Sequence, residues 1–282
     1  MTPRPMVLLA AMGACSPPTG SSSAPASRST PPAAGRYASI GPLRMYHEVH
    51  GAGAPVVLIH GGGSTIQTSF GRTLPALAAT HEVIAVELQA HGHTADVDRP
   101  LSFTQDADDV AALLQQLGIA GAAVIGFSNG ATTAVQLAIR HPRLVGKLVL
   151  ISGLLFADHL SPELRKGFEL EPSVDNMPAD LRAAYLAVAP RPQDLPIMVE
   201  KSHHRMRDFA DIPPAAVRAI EAPALVIAGD NDVIRPEHTV EMFRAFRSGA
   251  VAILPQTDHM QIMERDDLLM PIITPFLDGP AP

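Results

Sequence analysis

One serine in this chain lies between two glycines, where an apolar run meets a helical pattern. Residues 122–138 read AAVIGFSNGATTAVQLA, with Ser128 at the centre and Gly126 and Gly130 two residues to either side. The first half predicts a buried strand and the second half a helix. A G-x-S-x-G pattern in that setting fits a nucleophile elbow, a tight turn that holds the serine in strained geometry with its Oγ exposed. The alternative is a Gly-Ser turn without chemistry.

A serine hydroxyl becomes a strong nucleophile only when a base takes its proton. In VAILPQTDHM, His259 follows the last predicted strand. Two acids, Asp230 and Asp232, follow the preceding strand in PALVIAGDND. Asp230 directly follows Gly229 and is expected to belong to the strand end, whereas Asp232 lies further out, over the edge where His259 must lie. We therefore predict Ser128 as nucleophile, His259 as base and Asp232 as the acid that orients the histidine.

The order serine, acid, histidine resembles that of the α/β-hydrolase superfamily. The resemblance covers the chain from about Arg36 to the C-terminus and rests on HGGG, GFSNG, GDND and TDH, each after a predicted strand. The loop AHGHT also resembles the family's G-H-G-x-S loop, from which Ala90 and Thr94 depart. The resemblance implies the fold and the triad roles, and it implies catalysis without a cofactor. It does not identify the substrate.

The same resemblance implies an oxyanion hole made of two backbone N–H groups. One would come from Asn129, the residue after the nucleophile, and the other from Gly62 in the HGGG loop, with Gly63 as the alternative. A flexible turn is the other interpretation of this glycine run. We expect His60 to form structural hydrogen bonds rather than to act as a base.

Short apolar strands alternate with helical patterns through most of the chain, which predicts an α/β fold: a mostly parallel sheet with helices on both faces. A hairpin is expected around Gly41 and Pro42, and helices are expected over Ile66 to Ala79 and before Gly118. The further predicted strands are 54–60, 81–88, 122–127, 147–152, 223–229 and 251–255.

Residues 153–222 interrupt this alternation and predict an inserted helical cap, so the predicted hydrolase core comprises 36–152 and 223–282. Within the cap, the pattern favours a solvated helix face for four basic residues, with substrate contact as the alternative. Three methionines could line an apolar pocket or simply pack. These two sets are His203, His204, Arg205 and Arg207, and Met177, Met198 and Met206.

The N-terminus, MTPRPMVLLAAMGACSPP, resembles a bacterial lipoprotein signal. Arg4 supplies the positive charge, a short apolar segment follows, and Gly13 and Ala14 precede Cys15. We therefore expect 1–14 to be a removed signal peptide, Cys15 to carry lipid, and the Ser/Pro/Ala-rich segment 15–35 to be a disordered tether. A short secretion signal with an incidental cysteine and an over-extended start are the alternatives.

Composition excludes several classes of function. The net charge is −7 and the chain has no basic block, which argues against nucleic-acid binding. One cysteine rules out an intrachain disulfide and a four-cysteine zinc site. His91 and His93 flank Gly92 without a nearby acid pair, so we predict no metal site there.

Together, these features predict a serine hydrolase that cleaves a small-molecule carboxylic ester at the bacterial envelope, lipid-anchored or secreted. A cytoplasmic location follows if the signal is not real. The same triad could instead act on an enol-lactone, an amide or a C–C bond, or form a peracid. The alternative from another class is a catalytically idle binding protein of the envelope.

Overall fold

The computed structural model of the protein describes residues 35–280. The predicted signal peptide, Cys15 and nearly all of the predicted tether lie outside these described residues. Among residues 35–280, no helix combines the length and the apolar character needed to cross a membrane.

A single sheet of eight strands organises the described part of the chain, in the order β1-β2-β4-β3-β5-β6-β7-β8. The β1–β2 and β2–β4 pairs are antiparallel and all other pairs are parallel. This confirms the predicted α/β class. The strands are β1 (Arg36–Ile40), β2 (Leu43–Gly51), β3 (Ala54–Ile59), β4 (His81–Val86), β5 (Ala122–Phe127), β6 (Val145–Ile151), β7 (Ala224–Asn231) and β8 (Gly249–Asp258).

Ten α-helices accompany the sheet in the described residues. They are α1 (Ile66–Phe70), α2 (Leu74–Ala78), α3 (Phe103–Gln116), α4 (Asn129–Arg140), α5 (Pro162–Gly167), α6 (Ala179–Val188), α7 (Leu195–Arg207), α8 (Pro214–Arg218), α9 (Pro236–Ala245) and α10 (Asp266–Asp278).

The prediction of one helix from Ile66 to Ala79 is wrong, because the structure divides this segment into α1 and α2. Pro75 explains the break. Proline has no N–H, so in a continuous helix the carbonyl of Gly71 would lose its partner and would also clash with the proline ring. The structure instead ends α1 at Phe70, with Gly71 as its C-cap, and places Pro75 in the first turn of α2, where a missing N–H costs nothing.

The sheet is covered by apolar side chains on both faces, so each buried strand sends alternate residues into two different clusters. On β5, Val124 packs into the cluster with α3, α4 and α9, whereas Ile125 packs into the cluster with α1, α2 and α10. Because β3 to β8 pair in parallel, their carboxyl ends lie at one edge of this sheet, and the loops that carry the predicted site residues begin there.

Between residues 153 and 222 the structure has the helices α5 to α8 and no strand element. Helix α7 is bound to the loop after β4 through Lys201, whose Nζ donates to Asp96 Oδ2 at 2.7 Å and to the carbonyls of Val97 and Arg99. At the end of the segment, Val217 of α8 packs into the cluster that contains α3 and α4. The division of the chain into core and cap stays a prediction.

Candidate active site

Ser128 lies between the last residue of β5 and the first residue of α4. Its backbone is in the left-handed half of conformational space, with φ 52° and ψ −120°. A non-glycine residue held there costs on the order of 1–3 kcal/mol, which surrounding contacts must offset. Three backbone hydrogen bonds hold the turn. Ser128 N–H donates to the Ile151 carbonyl at 2.8 Å, and the Ser128 carbonyl accepts from the N–H groups of Ala131 and Thr132 at 2.9 and 3.3 Å.

The two flanking glycines allow close backbone packing at this turn. A Cβ on Gly126 would overlap the carbonyl of Gly130, and a Cβ on Gly130 would overlap the carbonyl oxygen of Ile59 at the end of β3. Any larger residue at either position would therefore push α4 away from the sheet. The first turn of α4 would then no longer hold Ser128 in its strained position.

The three residues predicted as a triad form a hydrogen-bonded series with His259 in the middle. Ser128 Oγ is 3.0 Å from His259 Nε2, and His259 Nδ1 is 2.7 Å from Asp232 Oδ1. Since an ionised carboxylate only accepts, Nδ1 carries the proton and Nε2 is free to accept from the serine hydroxyl. The arrangement can therefore pass the hydroxyl proton of Ser128 to an imidazole whose charged form the carboxylate stabilises.

The Asp232 carboxylate is fully buried and is held by several donors. Burial, the largest single influence, raises the pKa of this carboxyl. The hydrogen bond and charge of His259 and the hydrogen bonds from Ser152 and Ile234 together outweigh burial, so the pKa lies below its usual range. Ser152 Oγ donates to Oδ2 at 2.5 Å, and Ile234 N–H donates to Oδ1 at 3.2 Å. Asp232 is thus kept ionised and oriented while out of contact with water.

Ser152 was not identified from the sequence. It follows β6 directly, has φ 53°, and is buried. The only signal available was its place after a strand next to β7, which many non-functional residues share.

We expect Ser152→Ala to lower kcat/KM for an ester about tenfold, because a buried charged acceptor loses one of its donors. A hydrogen bond to a charged group contributes about 1.5–3 kcal/mol, part of which acts on the position of Asp232. The measurement is steady-state turnover. Ser161→Ala is the matched control, because it removes a serine hydroxyl that accepts from Leu164 N–H at the start of α5 and does not contact Asp232. Turnover within twofold of the wild type would contradict a role for Ser152.

Asp230, the competing candidate acid, does not contact His259. Its carboxylate is exposed, and Oδ1 accepts from the Thr257 N–H at 3.1 Å. Hydrogen bonds from the backbone N–H groups of Gln256 and Thr257 lower the pKa of this carboxyl. Asp230 therefore ties the end of β7 to β8.

The glycine loop after β3 lies against the start of α4. A Cβ on Gly61 would come within 3.4 Å of Ser128 Cβ, and a Cβ on Gly62 would overlap the side-chain amide of Asn129. The structure thus brings together Gly62 and Asn129, the two residues predicted to supply the oxyanion donors. Asn129 opens α4, where backbone N–H groups have no partner within the helix.

The histidines near this loop form local hydrogen bonds. His60 is fully buried, with Nδ1 2.7 Å from the Gly61 carbonyl and Nε2 accepting from Leu88 N–H at 3.0 Å, in agreement with the predicted structural role. His91 Nδ1 bonds the Gln89 carbonyl, and His93 Nδ1 lies 2.8 Å from Glu87 Oε2.

A different histidine pair has the spacing of metal ligands within residues 35–280. Ligand atoms of Asp158, His159 and His238 lie within 4.8 Å of one another. The Arg235 guanidinium, however, lies 2.7 Å from His238 Nε2 and holds that lone pair with a positive charge. A cation would have to displace it, so the group does not fit a metal site as it stands.

The predicted solvated face for the four basic residues of the cap is wrong for Arg205. Arg207 is exposed, but Arg205 points inward and is only 6% exposed. Among the methionines, Met198 packs with Leu195 in a buried cluster, and Met177 Cε would lie 3.3 Å from a Cβ on Gly63. The helical segment therefore sends Arg205 and Met177 toward the glycine loop.

The chain is similar to known proteins over the segment that contains the triad. The model described as "Alpha/beta hydrolase family" matches residues 56–270, which include Ser128, Asp232 and His259. RutD of Azorhizobium caulinodans, named as a candidate carbamate hydrolase, is 35% identical over 135 residues. That match covers 48% of this chain and 49% of RutD, so it spans about half the length of this relative.

Two solved structures are similar in fold. One is 2-hydroxy-6-oxo-6-phenylhexa-2,4-dienoate hydrolase of a Rhodococcus species, with a TM-score of 0.74 and 19% identity over 88% of this chain and 99% of that chain. The other is a thermophilic esterase from Thermogutta terrifontis, with a TM-score of 0.70 and 21% identity over 87% of this chain and 97% of that chain. At these identities, the likeness establishes the fold alone.

Proposed function

The chain belongs to the alpha/beta hydrolase family, and we propose that it is a serine hydrolase that cleaves a carboxylic ester through an acyl-enzyme. The observation that carries the proposal is the hydrogen-bonded series from Ser128 through His259 to the buried Asp232, at 3.0 and 2.7 Å. A nucleophile, a base and an orienting acid in contact are the signature of activated-serine chemistry.

In the proposed reaction, Ser128 Oγ attacks the ester carbonyl carbon while His259 Nε2 accepts the hydroxyl proton. The imidazolium that forms is stabilised by the Asp232 carboxylate at Nδ1. When the C–O bond breaks, His259 returns the proton to the leaving alcohol, and the acyl group stays on Ser128. His259 then takes a proton from water, whose oxygen attacks the acyl-enzyme carbonyl carbon. As the bond to Ser128 Oγ breaks, His259 returns that proton to the serine oxygen and the acid is released.

Each attack places negative charge on the carbonyl oxygen, and we propose that the backbone N–H groups of Gly62 and Asn129 stabilise it. The contact between the side chain of Asn129 and the glycine loop supports this pairing. Donors fixed in place before the reaction need no reorganisation as the charge develops, and loss of one donor typically costs about 10²–10³ in kcat.

Cleavage of another bond by the same residues is the second candidate. The similar Rhodococcus protein is named as a dienoate hydrolase and RutD as a candidate carbamate hydrolase, so a C–C, amide or carbamate substrate uses the same starting chemistry. An idle binding protein is disfavoured, because it would gain nothing from a strained serine within reach of a base.

A substrate panel tests the proposal. Wild type and Ser128→Ala are incubated with p-nitrophenyl esters of increasing acyl length, lactones, p-nitroanilides and a 1,3-diketone. The proposal predicts turnover of at least one ester class that depends on Ser128. Turnover of the diketone or anilide without any ester hydrolysis would favour the second candidate.

For localisation, we propose that Cys15 anchors the protein to a bacterial envelope membrane through lipid, because the apolar segment ends in Gly13-Ala14-Cys15 before a Ser/Pro-rich stretch. Several acyl chains hold a protein stably at a membrane, whereas one chain holds it weakly. We expect Cys15→Ser to move the protein from the membrane fraction to the soluble fraction in a bacterial host. A wild-type protein found soluble with an unmodified Cys15 would contradict the anchor.

A further inference from the structure

The Arg205 guanidinium is buried beneath the glycine loop and only partly satisfied. Its Nη1 donates to Asp106 Oδ2 at 2.8 Å, and its plane lies over the Phe103 ring, 4.9 Å from the centroid. Among the described residues, neither Nε nor Nη2 has a hydrogen-bond partner, although both are removed from solvent. Buried donors without partners are uncommon and costly, so this edge of the guanidinium requires an explanation.

The unpartnered edge lies beside the proposed reaction site. Arg205 Nη2 is 3.8 Å from the point where a Cβ on Gly62 would lie, and the side-chain amide nitrogen of Asn129 lies closer still to the same point. His91 Nε2 is also buried without a partner. Burial lowers the pKa of His91, and the charges of His60 and Arg205 lower it further, so His91 is neutral here and presents no competing positive charge.

Nε and Nη2, the two nitrogens without a partner, have the geometry to bind a carboxylate in a bidentate manner. Nε–H and one Nη2–H point the same way from the guanidinium plane and can donate two parallel hydrogen bonds to the two oxygens of one carboxylate. Asp106 uses only Nη1, so it holds the plane in place and leaves this edge for a ligand. The other two acids of the same helix are paired elsewhere, Asp109 with Arg99 and Asp108 with Arg140, and do not compete.

We propose that Arg205 is the anion-binding group of the substrate site and that the substrate is an ester carrying a carboxylate, which Nε and Nη2 of Arg205 hold while the ester carbonyl lies at the glycine loop. The inference rests on the proposed serine hydrolase function and extends it to a substrate class. It also accounts for a charged residue of α7 that is buried instead of solvated.

The test compares matched esters. The p-nitrophenyl monoesters of glutaric and adipic acid are paired with the neutral p-nitrophenyl esters of pentanoic and hexanoic acid, with spontaneous hydrolysis subtracted. For the wild type, we expect kcat/KM to favour the anionic ester of each pair. In Arg205→Met the anionic-to-neutral ratio should fall at least tenfold, and Arg205→Lys should give an intermediate ratio because it keeps the charge but loses the bidentate geometry.

Two further variants keep the comparison interpretable. Arg205→Met leaves Asp106 buried without its partner, so the double variant Asp106→Leu/Arg205→Met is measured as well and should lose the same preference with the fold retained. Arg207→Met removes an exposed arginine two residues away and should leave the ratio unchanged.

The outcomes separate this inference from the function on which it rests. The anion site would be overturned if the wild type had the same kcat/KM for the anionic and the neutral ester of each pair. It would also be overturned if neither Arg205→Met nor the double variant changed the anionic-to-neutral ratio. Either result would leave the serine hydrolase function unaffected. A wild type that hydrolyses no ester and takes up no fluorophosphonate would overturn both.

Discussion

Replacing Ser128 with alanine is expected to lower ester turnover by at least about 10³-fold and to abolish covalent labelling by a fluorophosphonate. In the proposed mechanism, the alanine removes the only atom that can form the acyl-enzyme, while the binding groups and the proposed N–H donors of Gly62 and Asn129 remain. What persists is then the residual rate that such donors and binding alone supply. Ser128 has φ 52°, which alanine tolerates no better than serine, so the backbone strain should not change.

The experiment follows p-nitrophenol release under steady-state conditions, with a thermal melt as the folding control. Ser161→Ala serves as the matched serine variant, because its hydroxyl accepts from Leu164 N–H at the start of α5, in the predicted cap segment, and does not contact the triad. A Ser128→Ala protein that folds and turns the ester over at the wild-type rate would contradict the assignment of the nucleophile.

Asp232→Asn is expected to lower kcat on the order of 10³- to 10⁴-fold with the fold intact. The amide carries no charge to stabilise the imidazolium of His259, and an amide NH2 directed at the ring favours the wrong tautomer. Losses of about 10⁴ are the scale of that error in serine hydrolases. The deep burial of Asp232 makes the loss of charge more severe than it would be at the surface.

Asp230→Asn is the matched control, since it makes the same change two residues away. Its carboxylate accepts from Thr257 N–H and does not reach His259, so we expect a lower Tm with kcat within about tenfold of the wild type. The two variants are compared on one ester with melting curves. An inactive Asp230→Asn beside an active Asp232→Asn would reverse the assignment.

Much of the fold could be predicted because its signals are local. β-branched apolar runs such as VVLI in β3 predict buried strands without knowledge of their neighbours. The break between α1 and α2 also has a local signal, because Pro75 lies within the segment predicted as one helix and proline interrupts a continuous helix. In the loop AHGHT, Ala90 replaces the first glycine of the family's G-H-G-x-S pattern. Its φ of 64° shows that the backbone there is left-handed although the residue is not glycine.

The site residues also differ in whether local sequence signals could identify them. Ser128, Asp232 and His259 each follow a strand, and parallel strands bring their carboxyl ends to one edge, so their proximity could be expected from order alone. Ser152 and Arg205 could not be found this way. Their surroundings are set by side chains 80 and 99 residues away in sequence, and a short charged stretch gives no sign of which arginine turns inward.

The most direct test of the central claim is to map the residue that a fluorophosphonate modifies. Wild-type protein is treated with a slight excess of reagent, and the adduct is located by peptide mass spectrometry, with Ser128→Ala and Ser152→Ala treated in parallel. A strained serine hydrogen-bonded to His259 should take up one equivalent, on Ser128, and Ser152→Ala should still be labelled. No adduct on the folded wild type, or an adduct on another residue that persists in Ser128→Ala, would contradict the account.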